Sequence, residues 1–528
     1  MRLSHSVAPQ STKSGYYTCM LEASTTPIRS FSKSAGFFLL LFVALFAASN
    51  FLPIQRHLWY DELYTYYLAH SPSLSQVVQR TVAMDLAPPL MHLATRFSDE
   101  LFGPGIVAFR LPAVLGFFFG SLLLHVSLAK RIGKIWAAVA ILAFWSGEFF
   151  LYSTEARPYG LLIFFFALGV YSLDHARSGN FRGLSVAGLV VAVAGMLLSH
   201  MFGLFSVAPL FASELMRTYK RRQVDWLIWV ALVVPLCAGA IYIPILRRFG
   251  AAETSPSVTA FSRKLVVFFG KSALALGIPV GLSLLGIWQL RRSQGLGRPQ
   301  GNIASASAWE DIALLATLAL PPFAINLLFL RTHSAFFDRY CITSGFAICV
   351  CCALVLRWAA RLTRGADWMC LWIFAGAVIY ANVLGPAIKR SLGPVYPKSV
   401  EEVMPDLPVV VVSGISFLEV DHYAQGDFLK RVYYVTDADG FAKYAHASSF
   451  EGMADLKKIF PIRANVEKFS EFRKAHPHFL ILGTPQHSEA WFLKKMMAEE
   501  TVRKLGDFGS IYRDNSLFEV IVKDQAGT

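Results

Sequence analysis

Residues 106–128 have the sequence IVAFRLPAVLGFFFGSLLLHVSL, an apolar run that a single arginine interrupts. A helix needs about 20 apolar residues to cross a bilayer, and lipid cannot satisfy the polar groups of an exposed backbone, so such a run must be helical. Ten further apolar runs predict about eleven transmembrane helices in all: 37–51, 135–151, 160–173, 184–199, 202–215, 226–246, 265–290, 312–330, 341–356 and 368–388. The fold class predicted is a polytopic α-helical membrane protein.

The composition supports this class. Of the 528 residues, 55% are hydrophobic and 16% charged, which is unlike a soluble globular protein. Most of the Lys and Arg behind the net charge of +14 lie in short connections between the runs, where topology and lipid phosphates account for them. Membrane lipids are therefore predicted partners, and nucleic acid is not. No cysteine follows Cys370, so the C-terminal region has no internal disulfide.

The connections between the apolar runs form two alternating sets. One set is rich in Lys and Arg and is predicted to be cytoplasmic; it comprises 130–134, 177–182, 217–222, 291–298 and 357–364. The other set includes the connection at Asp61. This loop and the C-terminal region are therefore predicted to be extracytoplasmic, with a cytoplasmic N-terminus, in the plasma (bacterial inner) membrane. This assignment puts the N-terminus and the C-terminal region on opposite sides of the membrane, which requires an odd number of helices, and eleven is odd.

Composition divides the chain into three parts. Residues 1–34 are Ser/Thr-rich and predict an unstructured cytoplasmic tail. Residues 35–390 hold the apolar runs, and their first extracytoplasmic loop covers 55–105. The run at 37–51 also has the small residues Ala47-Ala48-Ser49 that precede a signal-peptide cleavage site. An uncleaved helix is favoured because the leader would be unusually long.

Residues 391–528 predict a soluble α/β domain. Short apolar runs at 409–412, 432–435 and 479–482 predict strands, and helical patterns at 450–459, 466–474 and 489–499 alternate with them. This region has no GxGxxG and no P-loop, so nucleotide binding lacks support.

Two acids, Asp61 and Glu62, follow the first apolar run. A helix continuing from Trp59 would place Asp61 beside Tyr64 one turn later. The surrounding aromatic residues suit a segment at the membrane interface. An acid held there is partly desolvated and can act as a general base, although a solvated loop charge is the ordinary alternative.

A third acid, Asp85, precedes Ala87-Pro88-Pro89. The two prolines fix the chain here, so the sequence predicts that Asp85 is held in a defined turn. Capping of the helix that the prolines begin is an equal alternative.

Two arginines precede later apolar runs on the Asp61 side, Arg157 and Arg339. Planar guanidinium groups suit bidentate capture of phosphate. Each arginine can instead pair with its neighbour in sequence, Glu155 or Asp338, and extend towards water.

His200 interrupts two apolar runs, and a lone histidine in such a turn is more often a polar corner than a catalyst; His333 is similar. The sequence has no HExxH, no Cys/His cluster and no GxSxG, so a zinc protease and a serine hydrolase lack support. No metal-binding residues are predicted.

These motifs, in this order, resemble the GT-C superfamily of membrane glycosyltransferases, in particular its family 39-like group of protein O-mannosyltransferases and aminoarabinose transferases. The resemblance covers residues 35–390. It rests on five stretches: 61–62, 85–90, 155–159, 199–203 and 339–340.

The resemblance implies a polyprenyl-phosphate sugar as donor. It implies that Asp61, with Glu62 beside it, deprotonates a hydroxyl acceptor, and that Arg157, Arg339 and His200 hold the donor phosphate. Asp85, Tyr64 and Tyr159 would contact the acceptor or order the loop. Some relatives have Lys or His where this chain has Ala87, so the identity of the acceptor cannot be inferred from those relatives. No cofactor is implied, and a divalent cation stays open.

The function predicted is therefore transfer of a hexosyl or pentosyl group from a polyprenyl-phosphate donor to a hydroxyl of a lipid, glycan or protein, with inversion. A transporter or flippase is the alternative from another class, and it predicts two related halves with ionisable residues at mid-membrane. A non-catalytic scaffold would leave the one-sided Asp and Arg set unexplained.

Overall fold

The computed structural model describes residues 27–85, 87–179, 181–249, 258–295, 309–332, 338–385, 396, 398–445, 453–485, 489–510 and 513–522. His333 lies outside these ranges, as do residues 1–26 of the predicted tail. The chain divides into two compact units, Met1–Ala47 and Ala48–Thr528. The first helix, α1, spans Pro27–Asn50 and therefore crosses the division.

Helix α1 begins earlier than the sequence predicts. Residues 27–34, which are predicted to be part of an unstructured tail, are helical. Its described apolar part, Ala35–Asn50, is shorter than a full membrane span.

The remaining helices of the first 385 residues form the body of the second unit. They are α2 Tyr60–Ala69, α3 Leu74–Met84, α4 Leu90–Phe102, α5 Ile106–Ile132, α6 Lys134–Ser146, α7 Tyr159–Ser178, α8 Arg182–Ser199, α9 Gly203–Arg221, α10 Trp226–Val233, α11 Tyr242–Phe249, α12 Val258–Ser293, α13 Trp309–Leu318, α14 Pro321–Thr332, α15 Ile342–Ala360 and α16 Ala366–Ile379. Short 3₁₀ segments connect several of them: Pro53–Gln55, Glu148–Thr154, Val234–Ile241 and Asp338–Cys341, while a π-helical segment, Tyr380–Leu384, follows α16.

Eight helical segments among the described residues are long and apolar enough to cross a membrane, or nine if the bent pair Lys134–Ser146 and Glu148–Thr154 forms one span. All eleven predicted runs fall on helical segments as far as they are described. Two of the eleven runs are not among these nine segments. One is the short apolar part of α1, and the other is α9, whose last turns carry Glu214, Arg217 and Lys220. The predicted class, a mostly helical membrane protein, is confirmed.

Small residues bring α5 and α7 together. A methyl group added at Gly116 would lie 2.9 Å from the backbone of Gly160, and one at Gly160 would collide with the backbone of Ala113. Such close helix contacts in membranes depend on small residues. The crossing fixes the start of α7, and with it the loop that carries Arg157, against α5.

The loop between α1 and α5 folds as three short helices. The Ser73 hydroxyl caps α3 by accepting a hydrogen bond from Gln76 N at 3.2 Å. Helix α4 begins directly after Pro88-Pro89, as expected where proline starts a helix. The catalytic loop predicted for 55–105 is therefore an ordered helical layer.

The C-terminal region is the predicted α/β domain. Its strands are β1 Val409–Val411, β2 Val432–Thr436, β3 Asn465–Lys468, β4 His478–Gly483, β5 Thr501–Ser510 and β6 Arg513–Ile521. Its helices are α17 Ser399–Glu402, α18 Gly414–Tyr423, α19 Gly426–Lys430, α20 Ala438–Tyr444, α21 Met453–Lys457, α22 Phe469–Ala475 and α23 Trp491–Glu499. The sheet order is β3-β2-β1-β4-β6-β5. The first four strands are parallel, and β6 is antiparallel to both its neighbours.

Three predicted strands lie at β1, β2 and β4, within one residue of their predicted ends. The predicted helix 466–474 is wrong in its first part, because residues 466–468 pair with β2 as strand β3. The β5–β6 hairpin was not predicted.

The C-terminal domain and the first loop share one hydrophobic core. Leu63 and Leu68 of α2 belong to the same buried cluster as Phe417 of α18. The phenol oxygen of Tyr423 accepts a hydrogen bond from Leu58 N at 2.6 Å, and Glu419 accepts one from Tyr60 N at 3.0 Å. The helix that carries Asp61 is therefore held by the C-terminal domain.

Candidate active site

Asp61 lies in the first turn of α2, half-buried. Its Oδ2 is 3.1 Å from Nη2 of Arg339, and its backbone carbonyl accepts a hydrogen bond from Nη1 of Arg157 at 3.2 Å. The acid and the two arginines that the sequence predicts to act together are therefore in contact.

Arg157 joins three parts of the site. Besides Asp61, its Nη1 donates to Thr65 Oγ1 and to Asp85 Oδ2, each at 3.2 Å. Burial alone would lower the pKa of Arg157, but the carboxylates of Asp85 and Asp61 raise it above its usual value. The guanidinium therefore stays charged, and it pairs across the site, not with its sequence neighbour Glu155.

Asp85 is placed by its turn. One carboxylate oxygen accepts a bond from Ala87 N at 3.3 Å, and the other lies 3.2 Å from Nε2 of His92 as well as beside Arg157. Helix α4 receives no side-chain cap, so capping does not explain this acid. His92 was not singled out in the sequence, although it follows the Pro-Pro closely.

Arg339 stands just before α15. Its guanidinium carbon is 5.6 Å from the ring centre of Trp59 and 6.0 Å from that of Tyr340, distances at which a cation is attracted by an aromatic face. Its neighbour Asp338 pairs instead with Lys271, which also lies 3.4 Å from Glu148. Both arginines therefore pair across the site, Arg157 with Asp85 and Arg339 with Asp61.

Glu62 has a different environment from Asp61. Its side chain is fully buried, and Arg110 donates to both oxygens at 2.8 and 2.7 Å. The backbone of Ala156 donates a third bond at 2.8 Å. Burial alone would raise the pKa of Glu62, but the charges of Arg110 and Arg56 lower it. These contacts favour a structural role over the catalytic one suggested by the motif.

Glu155 is a buried acid that the sequence did not single out as functional. Its Oε1 lies 3.3 Å from Nη2 of Arg56. Burial raises the pKa of Glu155 to about 7, against the opposing charge of Arg56. Nothing in the residue pattern distinguishes this acid from a surface charge, because its burial depends on contacts remote in sequence.

His200 caps the end of α8 and is buried. Its Nδ1 accepts a hydrogen bond from Phe202 N at 3.1 Å, and its ring centre is 5.4 Å from Tyr159 and 5.6 Å from Tyr340. Burial, together with the charges of Arg157 and Arg339, lowers its pKa to about 3. His200 is therefore neutral at pH 7 and brings no positive charge to the site.

Tyr64 faces the C-terminal domain. Its ring centre is 5.0 Å from that of Tyr60 and 5.1 Å from that of Phe460. Burial raises the pKa of the Tyr64 phenol to about 12. These contacts order α2, and they agree with the loop-structuring alternative for this residue.

Several buried polar atoms around Asp61 lack hydrogen-bond partners within the described part of the chain. They are Trp59 Nε1, Glu155 Oε2 and Arg157 Nε, while Asp61 Oδ2 has an ion-pair contact with Arg339 but no hydrogen bond. Buried polar atoms are nearly always satisfied in folded proteins, so such a concentration is a candidate place for a polar ligand or an ordered water. Among the described residues, no three His, Cys, Asp or Glu side chains are placed to share a metal ion.

No protein-family model and no curated protein matches this sequence. The structure is similar to ArnT from Cupriavidus metallidurans in the apo state, with a TM-score of 0.51 and 14% identity over 92% of this chain and 98% of that chain. ArnT from the same organism bound to undecaprenyl phosphate has a TM-score of 0.48 at 14% identity, over 94% and 99% of the two chains.

A third solved structure, the Archaeoglobus fulgidus oligosaccharyltransferase in complex with zinc and sulfate, has a TM-score of 0.35 at 10% identity, over 84% and 67% of the chains. The match to apo ArnT shows that the two chains share a fold. Identity of 14% carries no residue roles from one chain to the other.

Proposed function

We propose that the protein is an inverting glycosyltransferase that moves a sugar from a polyprenyl-phosphate donor to a hydroxyl acceptor. One observation carries this proposal: the carboxylate of Asp61 lies against the guanidinium of Arg339, and the Asp61 backbone carbonyl accepts a hydrogen bond from Arg157. Around them lie buried polar atoms that have no hydrogen-bond partner in the described part of the chain. A base beside two fixed cations is what transfer from a phosphate leaving group requires.

Asp61 is the proposed general base. Its carboxylate removes the proton of the acceptor hydroxyl while that oxygen forms a bond to the anomeric carbon. The bond from this carbon to the phosphate oxygen breaks, and its electron pair leaves with the polyprenyl phosphate. Attack on the face opposite the phosphate inverts the anomeric centre. A positioned base contributes about 10²–10⁴-fold to such a step.

Arg157 and Arg339 are the proposed ligands of the phosphate. The phosphate gains negative charge as the sugar departs, and donors fixed in advance stabilise that charge without reorganising. Among the residues that the structure describes, none accepts a hydrogen bond from Arg157 Nε, so this atom offers a further donor. His200 is neutral, so we assign it a contact near the phosphate and not a share of the charge.

The proposed setting is the plasma (bacterial inner) membrane, with the candidate site and the C-terminal domain on the extracytoplasmic side. Arg110 near the start of α5 pairs with Glu62, the residue next to Asp61, while Lys130 and Arg131 lie in the last turn of α5. Twenty helical residues rise about 30 Å, so the Lys- and Arg-rich connections lie at the opposite end of the same helices. Lys and Arg favour the cytoplasmic side.

A transporter remains the alternative from another class, and the placement of charges argues against it. Transporters concentrate ionisable residues at mid-membrane, between broken helices. Here Arg157 precedes α7 and Arg339 precedes α15, so both lie at helix starts. This favours chemistry at one membrane face.

The test uses the purified full-length protein with undecaprenyl phosphate carrying a radiolabelled hexose or pentose, and a lipid extract as source of acceptor. We expect release of undecaprenyl phosphate by the wild type and a loss of about 10²–10⁴-fold in Asp61→Asn, with binding of undecaprenyl phosphate retained. Arg339→Ala should weaken that binding.

Asp99→Asn is the matched control, because Asp99 is also a buried acid of the first loop but pairs with His70 at 3.4 Å, away from the arginines. Its activity should stay within a few-fold of the wild type. Full activity of folded Asp61→Asn would exclude Asp61 as the base. Binding without release for every sugar tested would favour the transporter.

A further inference from the structure

A cavity of about 430 Å³ lies between α5, α7, α13 and α15, at the end of the bundle remote from Asp61. Twelve of its seventeen lining residues are Leu, Ile, Val or Phe. Four of the five others are charged, and they are Lys130, Arg131, Asp311 and Arg357. The cavity is therefore amphipathic, with a hydrocarbon-like body and a charged end.

The charges come from helix ends that lie on one side of the bundle. Lys130 and Arg131 belong to the last turn of α5, Arg357 to the last turn of α15, and Asp311 to the first turn of α13. All four helices are long and apolar enough to cross a membrane, α13 as part of the segment Trp309–Leu327. The charged end therefore lies at headgroup depth, and the apolar body extends inward.

The positive charges at the cavity are only partly neutralised by nearby carboxylates. Arg131 is held by Asp174 and Asp311, each at 2.7 Å. Lys130 is exposed, and its Nζ lies 3.1 Å from the imidazole of His175. Arg357 forms no ion pair with any described residue. Three cations against two carboxylates leave one net positive charge at the cavity.

We infer that this cavity binds an anionic phospholipid, with one acyl chain in the apolar body and the phosphodiester between Lys130 and Arg357. A phosphodiester carries one negative charge, which matches the excess at the cavity. Basic pockets between transmembrane helices on the cytoplasmic side bind anionic headgroups in this way. This site is independent of the proposed reaction, since it lies at the other end of the helices.

Two simpler ligands fit less well. Inorganic phosphate would use the cations but would leave the apolar lining unfilled. A zwitterionic lipid would fill the lining, but its ammonium would cancel the attraction of Arg357 and Lys130. The combination of an acyl chain with a net negative headgroup uses both halves of the cavity.

The test is a titration of the delipidated full-length protein with phosphatidylglycerol in detergent, with bound lipid counted by native mass spectrometry. We expect one phosphatidylglycerol to be retained and Arg357→Gln to weaken its binding about fivefold, the contribution of one Lys or Arg near an anionic lipid surface. Val350→Phe, which fills the apolar body, should weaken it to a similar degree or more.

Arg361→Gln is the matched control, because Arg361 directly follows α15, stacks on Trp358 at 5.5 Å and does not line the cavity. Its binding should equal that of the wild type. Equal weakening by Arg357→Gln and Arg361→Gln would indicate diffuse surface attraction and overturn the inference. So would equally tight binding of phosphatidylcholine or inorganic phosphate, or binding of undecaprenyl phosphate in place of phosphatidylglycerol.

Discussion

Asp61 and Glu62 are adjacent residues whose side chains enter different environments. The Asp61 side chain contacts Arg339 of the candidate site and keeps part of its surface accessible. Glu62 points into the protein, where Arg110 and the backbone of Ala156 use both its oxygens. A buried carboxylate that already accepts three hydrogen bonds, two of them from a guanidinium, has little capacity to take a proton from a substrate. The structure therefore separates one acid suited to chemistry from one suited to folding.

Glu62→Gln should destabilise the protein strongly, because it leaves the charge of Arg110 buried without its partner. Removing one member of a buried ion pair typically costs about 3–5 kcal/mol. Thermal unfolding in detergent, followed by intrinsic fluorescence, measures the loss. Glu100→Gln is the control, since Glu100 is exposed and pairs with Arg96 on the surface, where less than about 1 kcal/mol is expected. Equal melting temperatures for the two variants would contradict the structural assignment.

Glu155 should make the stability of the protein depend on pH. Its pKa is raised from 4.5 to about 7 by burial, so between these values the folded state holds a proton that the unfolded state has lost. The free energy of unfolding should therefore fall as the pH rises from about 4.5 to 7. Above pH 7 the whole loss, on the order of 3 kcal/mol, should be present. Arg56, Glu62, Arg339 and Asp61 are the charges that act on this group.

Glu155→Gln cannot ionise and should lose this pH dependence. Unfolding of wild type and variant at pH 5 and pH 8 measures the effect, and the variant should gain relative to the wild type at pH 8. A difference between the two proteins that is the same at both pH values would show that Glu155 keeps an ordinary pKa.

At the scale of elements, the crossing of α5 and α7 sets the position of Arg157. Gly160→Ala places a methyl group against the backbone of Ala113, so the two helices must separate. We expect a loss of about 1–3 kcal/mol, typical of overpacking, and weaker binding of undecaprenyl phosphate because Arg157 moves with α7. Binding isotherms and thermal unfolding measure the two effects.

Gly281→Ala is the matched control for this crossing. An added methyl group at Gly281 of α12 meets no atom within 4 Å, so stability and binding should be unchanged or slightly improved. If Gly160→Ala behaves like Gly281→Ala, the close contact of α5 and α7 does not position the site.

Helices and strands were predictable from the sequence to different degrees. Apolar runs such as 106–128 predict helices because lipid leaves no alternative, and all eleven runs lie on helical segments as far as they are described. Strand β3 contains the polar Asn465, Glu467 and Lys468, and it forms because β2 offers a parallel edge. That pairing is a tertiary contact, and local propensity does not contain it.

The candidate site was predictable in part. Asp61, Asp85, Arg157 and Arg339 were selected by motif and sidedness, and the structure brings them into contact. Glu155 and His92 were missed, and Glu62 was given a role that its contacts do not favour. Burial and pairing decide each of these cases, and they depend on residues remote in sequence, such as Arg110 for Glu62.

At the scale of the whole molecule, the C-terminal domain supports the helix that carries Asp61. Phe460 is buried and packs against Tyr64 and Tyr67 of α2, with ring centres 5.1 and 5.0 Å apart. Phe460→Ala should cost about 3–5 kcal/mol and loosen α2. Hydrogen exchange of the amides of residues 60–69 should become faster, and activity should fall.

Phe472→Ala is the control that separates loosening of α2 from a general loss of stability. Phe472 is also fully buried, but it belongs to the second hydrophobic cluster of the C-terminal domain, against Phe479. It should lower stability by a similar amount while leaving exchange in α2 unchanged. Equal exchange in both variants would mean that the domain does not specifically order α2.

The contact between Arg339 and Asp61 has a consequence for the sequence of events in the proposed reaction. Without a donor, the guanidinium of Arg339 is engaged with the carboxylate that is to act as base. A phosphate entering the site competes for that guanidinium and releases the carboxylate only when the activated sugar is already bound. A water molecule or an acceptor that arrives first meets an occupied base. In the proposed reaction, this ion pair favours one order of binding, with the donor before the acceptor.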